Sequence, residues 1–276
     1  MLTSLDIVIW LELVLVGGAA GVLGGLLGIG GGIIMIPALA ELLQDRFGPD
    51  SFHLYKLAAI ATSIVLSIPA AIRHSRARAV VFRMLPGILP LAIVGVLVGV
   101  VGASYLSGEY TRLLKNVFGV FLELVVVFNI YQARRAAHGE VAFCNCCPMA
   151  SRRGVLGTIV GLPAGLIAGM LGIGGGVWAV PAQRLFLGIR LRNAIANSTL
   201  MIVVVAMATA VTQSVAVSRF PGVNFLDGWY LAAGLAPGAL VGGWCGAGLT
   251  HRLPTQWLRW VFLALLVAGG VRLILA

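Results

Sequence analysis

One hexapeptide is written twice into this chain. Leu27-Gly28-Ile29-Gly30-Gly31-Gly32 recurs unchanged as Leu171-Gly172-Ile173-Gly174-Gly175-Gly176, and Pro37-Ala38 returns at the same offset as Pro181-Ala182. Ala59-Ile60-Ala61-Thr62-Ser63 then matches Ala194-Ile195-Ala196-Asn197-Ser198, and Leu114-Lys115 with Val117-Phe118 matches Leu258-Arg259 with Val261-Phe262. The chain therefore divides into a first repeat over residues 1–132, a linker over 133–153 and a second repeat over 154–276. Repeats of this kind fix topology and place a site at the junction of the halves.

Composition names the solvent. Of the 276 residues 60% are hydrophobic and only 10% charged, against about 25% charged in an ordinary soluble domain. That much apolar surface cannot be hidden in one water-soluble core, so the expected fold is an all-α polytopic membrane protein. At about 20 residues per span, a chain of this length holds at most about ten. Each half reads as five apolar segments, 7–27, 33–44, 57–72, 84–106 and 113–132, then 154–171, 177–188, 194–217, 228–249 and 255–275. The second segment of each half is too short to cross, since about 12 residues rise about 18 Å against a hydrocarbon core of about 30 Å. Each half is thus expected to open with a glycine-broken helical hairpin.

The net charge of +10 fits basic loops on the cytoplasmic face better than nucleic-acid binding. If each hairpin returns to the side it came from, thirteen of the 19 Lys and Arg fall inside and six outside, the six including Lys56. If each pair instead made one broken crossing, the split would be ten to nine. The returning arrangement predicts two inverted repeats with both termini outside. No positive residue precedes Arg46, so the first apolar run lacks the basic flank of a signal peptide and is expected to stay.

Three consecutive glycines inside an apolar segment free backbone groups that lipid cannot satisfy, so such a break belongs in a protein-lined place. The helix starts that follow aim their N–H groups and positive dipole ends at an anion. Gly28, Gly30, Gly31 and Gly32 with Gly172, Gly174, Gly175 and Gly176 are therefore candidate binding residues, with close helix packing as the plainer use, as for Gly161, Gly165 and Gly169. Neither run fits the nucleotide fingerprint G-x-G-x-x-G, because Ile33 and Val177 hold the last glycine position. Thr62, Ser63, Asn197, Ser198 and Thr199 are candidate polar partners for the anion, or else bond helix backbones. Gln183 and Arg184 occupy positions where the first half has Leu39 and Ala40. A single guanidinium there suits an oxyanion, or anchors the helix at the inner surface.

With these residues in view the chain resembles the sulfite exporter TauE/SafE family of membrane permeases. The resemblance rests on the two Leu-Gly-Ile-Gly-Gly-Gly motifs, the prolines Pro37 and Pro181, and the paired stretches at Ala59–Ser63 and Ala194–Ser198, and it covers both halves. It implies a secondary, proton-linked permease in the inner (cytoplasmic) membrane for a small sulfur-containing anion such as sulfite or an organosulfonate, with an uncoupled anion channel as the alternative. It implies no cofactor.

Glu123 stands inside the apolar run 120–128, where an acid is costly and by default functional, so it is the candidate for proton coupling. Cys144, Cys146 and Cys147 crowd the linker without a standard metal spacing and are read as part of a flexible connection. An intramembrane enzyme needs a His base or an H-E-x-x-H pair at depth. His53, His74, His138 and His251 are all expected in loops, so no catalytic or metal residue is assigned. The expected partners are the lipid bilayer and the anion; oligomeric state is left open.

Overall fold

The computed structural model describes residues 7–47, 52–105, 120, 123–127, 130, 153–217 and 224–275. Among these, all regular structure is helical. The elements are α1 (Ile7–Leu27), α2 (Gly32–Phe47), α3 (Phe52–Arg76), α4 (Leu85–Tyr105), α5 (Arg153–Leu156), α6 (Leu162–Leu171), α7 (Gly176–Leu187), α8 (Leu191–Val217), α9 (Phe225–Arg252) and α10 (Thr255–Leu275). A single π-helical turn, Gly157–Gly161, joins α5 to α6 without a break in direction. Six helical stretches are long and apolar enough to cross a membrane: Ile7–Leu27, His53–Arg76, Phe82–Ala103, Gly154–Leu171, Leu191–Val217 and Phe225–Arg252. Two shorter apolar helices, Gly32–Leu43 and Thr255–Ala268, stand beside them, so the described residues stay within the ceiling of about ten spans. The fifth segment of the first half falls mostly outside the described residues, as do the cysteine cluster and His138.

The helices that follow the two glycine runs, α2 and α7, are short, at 16 and 12 residues, as their apolar lengths required. Pro37 and Pro181 lie inside them, so neither can donate to the carbonyl four residues back, Ile33 or Val177, beside each glycine break. Several helices start earlier than their apolar runs. α3 begins at Phe52 rather than 57, and α8 at Leu191 rather than 194. His53 and Lys56 therefore sit on a helix, His74 lies near its other end, and His251 lies in α9. The loop placement expected for these residues is corrected: Lys56, His74 and His251 find hydrogen-bond partners on other helices, so polarity did not force the chain out of the bundle. Asn224 caps α9, its side-chain oxygen accepting from Leu226 N at 3.0 Å.

Helices of the two halves interlock. α1 packs along α9, α4 along α6, and α3 along both α8 and α9. Small residues at four-residue spacing make these approaches close, because carbonyls of one helix fill the space a side chain would take. On the α4–α6 seam, a Cβ on Gly169 would lie 2.5 Å from Val96 O and 2.9 Å from Val100 N, and Gly161 and Gly165 run against Ile88 and Ala92 in the same register. On the α1–α9 seam, a Cβ on Gly21 would lie 2.7 Å from Ala239 O and one on Gly25 2.6 Å from Gly243 O. The outer surface carries exposed Val94, Val98, Val101, Val211, Trp257 and Trp260. That is the surface of a multi-pass protein whose exterior meets lipid.

Candidate functional site

Each glycine run closes one helix and opens the next in the same way. Gly28 N donates to Gly24 O at 2.8 Å and Gly172 N to Ala168 O at 2.9 Å, ending α1 and α6. Gly28 (φ +65°) and Gly172 (φ +77°) then turn left-handed, a conformation that a side chain would strain. Ile34 and Met35 donate back to Gly31 O, as Trp178 and Ala179 donate to Gly175 O, opening α2 and α7.

The two runs meet back to back with reciprocal contacts. A Cβ on Gly32 would lie 2.6 Å from Gly172 O and 2.8 Å from Ile173 Cα; one on Gly176 would run into Gly28 O and lie 2.6 Å from Ile29 Cα. Between them, a Cβ on Gly30 would stand 3.7 Å from Gly174 Cα. The positive ends of α2 and α7, whose first-turn amides lack intrahelical acceptors, are thereby brought together.

The polar residues expected beside the glycines divide by what their hydrogens do. Ser198 Oγ donates across the halves to Gly28 O at 2.6 Å. Thr62, Ser63 and Thr199 donate at 2.8 Å to Ala58 O, Ala59 O and Ile195 O, four residues back on their own helices. A hydroxyl has one hydrogen, so in this arrangement these three present lone pairs to their surroundings. Ser63 and Thr199 nevertheless flank the loops: Ser63 Oγ would be 3.6 Å from a Cβ on Gly30, and Thr199 Oγ1 3.1 Å from one on Gly28.

Asn197 and Gln183 form a second, oriented pair. Asn197 Oδ1 accepts from Val81 N at 2.7 Å, so its amide nitrogen must donate, and does so to Gln183 Oε1 at 3.0 Å. That fixes Gln183 with its oxygen spent and its Nε2 donor free of any partner among the described residues, on a side chain that is fully buried. Arg184, the next residue on α7, is only 4% exposed, with the charge of Arg259 on α10 close enough to act on it. It is enclosed by the protein rather than turned outward. Glu123 lies apart in the helical stretch 123–127; it is partly buried, and its Oε1 is enclosed with no hydrogen-bond partner among the described residues.

Sequence reasoning missed two groups. Lys56, counted among the outer loop charges, is 1% exposed, and its Nζ donates to Met170 O at 2.7 Å and Gly169 O at 3.5 Å. The available signal was its setting: it stands four residues before Ile60, and the neighbouring Leu54, Tyr55 and Leu57 are all buried. His74 is fully buried, with Nδ1 3.0 Å from His251 Nε2 and Nε2 3.3 Å from Gly25 O. Because Gly25 O can only accept, His74 carries its hydrogen on Nε2 and receives one from His251. A cavity of about 890 Å³ bordered by Glu41, Val126, Ile130, Trp260, Leu263 and Val267 shares no residue with the glycine loops, and its walls are almost wholly apolar.

No solved structure matches the chain. Among curated proteins, it is 27% identical to the probable membrane transporter protein MamO of Magnetospirillum gryphiswaldense over 93% of this chain and 43% of that protein. It therefore spans less than half the length of MamO. It is 26% identical to the probable membrane transporter protein YunE of Bacillus subtilis over 95% of this chain and 96% of that one. A probable membrane transporter protein of Haemophilus influenzae is also 26% identical, over 95% of this chain and 96% of its own. Residues 13–273, nearly the whole chain, match the family described as sulfite exporter TauE/SafE, and the chain belongs to that family.

Proposed function

We propose that this protein is a secondary transporter that moves a small sulfur-containing anion, sulfite or an organosulfonate, across the cytoplasmic membrane in company with a proton. The observation that carries the reading is the reciprocal meeting of the two glycine loops, which brings the positive ends of α2 and α7 to one place inside the bundle. An anion there is held by backbone amides at a water-poor site without a permanent buried counter-ion at each contact. About 10–12 Å farther along α7, the enclosed Gln183 Nε2 donor and the buried Arg184 guanidinium supply further side-chain contacts on the anion's path; Ser198, Thr199, Thr62 and Ser63 shape and brace the loops, and Asn197 orients Gln183. Glu123 carries the coupled proton.

The halves are read as inverted five-segment repeats over 1–132 and 154–276, joined by a cytoplasmic linker, with both termini outside. Supporting this, the matched positions of the two halves make exchanged contacts: Gly32 on Gly172 and Ile173, Gly176 on Gly28 and Ile29. The asymmetry of loop charge survives the removal of the buried Lys56 and Arg184 from the count. A reporter fused at the C-terminus should read non-cytoplasmic, and a cytoplasmic reading would overturn the inverted arrangement. Substrate class is tested by counterflow: proteoliposomes loaded with unlabelled sulfite should take up radiolabelled sulfite, and organosulfonates should compete. Failure of both to exchange would remove the assignment.

A further inference from the structure

The last turns of the two broken helices are closed by different chemistry. At the end of α1, Gly25 O and Leu26 O are met by His74 Nε2 at 3.3 Å and Thr250 Oγ1 at 2.8 Å. At the matching positions of α6, Gly169 O and Met170 O are both met by the single ammonium of Lys56, at 3.5 and 2.7 Å. The fold therefore satisfies one such end with a hydroxyl and an imidazole, neither of which has to be charged. Capping does not explain why the other end carries a lysine.

A lysine is costly here. It is one of two in the chain, whose other cationic residues are all arginine, and it is 1% exposed within a membrane-spanning helix. Among the described residues no carboxylate pairs with it, and its hydrogen-bond partners are the two carbonyls. Intramembrane cations face the bundle interior or a water-filled cavity, pair with other ionisable groups or with backbone carbonyls, and mark substrate and ion paths. An ammonium has three donors, so one remains beyond the two carbonyls. The stem also lies on the second glycine loop: a Cβ on Gly172 would sit 2.6 Å from Lys56 Cγ.

We propose that Lys56 is an anion-binding residue, its ammonium supplying the counter-charge for the transported oxyanion at the second glycine loop. This rests on the reading of the protein as an anion transporter and adds a station to it. Lys56 stands where α6 enters the second loop, whereas Arg184 lies eight residues beyond Gly176 on α7, about 12 Å along the helix that leaves it. The anion then has one buried cation to meet before the loop and another after it. While no anion is bound the ammonium rests on Met170 O; the anion draws it away and releases that carbonyl together with the loop.

The test is anion-dependent thermal stability of the purified, detergent-solubilised protein at constant ionic strength. Sulfite, methanesulfonate, sulfate, phosphate and chloride are titrated in turn against the wild type, Lys56→Arg, Lys56→Gln and Lys56→Met. The wild type should gain Tm saturably with at least one of these anions; Lys56→Arg should keep the response, and Lys56→Gln and Lys56→Met should lose it by tenfold or more in apparent affinity. If Lys56→Gln responds as the wild type does, or no anion shifts the wild type, the proposal falls. It falls also if both neutral variants fail to fold, because Lys56 is then a structural cap. A response to phosphate or chloride alone that Lys56→Gln abolishes keeps the Lys56 site and removes the sulfur-anion reading. A response to sulfite that every variant shares does the reverse.

Discussion

Ser198 Oγ on α8 lies 2.6 Å from the carbonyl oxygen of Gly28, so a hydroxyl of the second half holds the first residue of the first half's glycine loop. Removing it leaves a buried carbonyl unsatisfied, at a cost of about 1–3 kcal/mol. Ser198→Ala should therefore lower both the unfolding midpoint and the transport rate. Ser63→Ala, which removes only a bond to its own helix at Ala59 O, should leave the midpoint within about 0.5 kcal/mol of wild type. Equal effects in chemical unfolding and flux would deny the loop its cross-half tether.

The loop contact predicts which glycines tolerate a methyl group. Gly32→Ala and Gly176→Ala push a Cβ into backbone of the opposite loop, which can shift only by parting the two loops. Overpacking of this kind costs about 1–3 kcal/mol, and flux should fall to near background. Gly102→Ala meets nothing within 4 Å and should be neutral, or stabilising by up to about 1 kcal/mol through helix propensity. Thermal unfolding and flux measured on the three variants together provide the check.

Gln183 offers its amide hydrogens because Asn197 already occupies its oxygen at 3.0 Å. Gln183→Glu replaces the donor by an acceptor of like charge to the substrate, so KM for the anion should rise by about tenfold or more, the scale of a lost hydrogen bond to a charged group. Asn197→Ala frees Gln183 to turn and should raise KM by less. A Gln183→Glu variant with unchanged KM would remove Gln183 from the site.

Glu123 is assigned the proton. Glu123→Gln keeps the shape and abolishes the titration, so this variant should retain anion exchange between equal concentrations on the two sides while losing acceleration by a pH gradient. Unchanged pH dependence would transfer the coupling to another group.

The fold was legible in the sequence wherever apolar length and glycine punctuation spoke alone. The short arms α2 and α7, the breaks before Gly32 and Gly176, and the packing role of Gly161, Gly165 and Gly169 all follow from spacing. Boundaries failed where a polar residue was taken as the edge of the membrane segment. Lys56, His53 and His251 each lie within a helix, and the partners of two of them, Met170 O for Lys56 and His74 for His251, stand more than 100 residues away in sequence. No local pattern carries that information. The candidate site was legible as residue types near a repeat. The orientation of Gln183 and the commitment of the Thr62, Ser63 and Thr199 hydrogens to helix carbonyls are properties of packing.

The most direct test of the account is the initial rate of radiolabelled sulfite movement in proteoliposomes, taken as a function of concentration with and without an imposed pH gradient. A secondary transporter working through one site between the glycine loops predicts a saturable rate, accumulation driven by the gradient, and collapse of both in Gly32→Ala and Gly176→Ala. A rate that rises linearly with sulfite and ignores the gradient would make the protein an uncoupled channel and contradict the account.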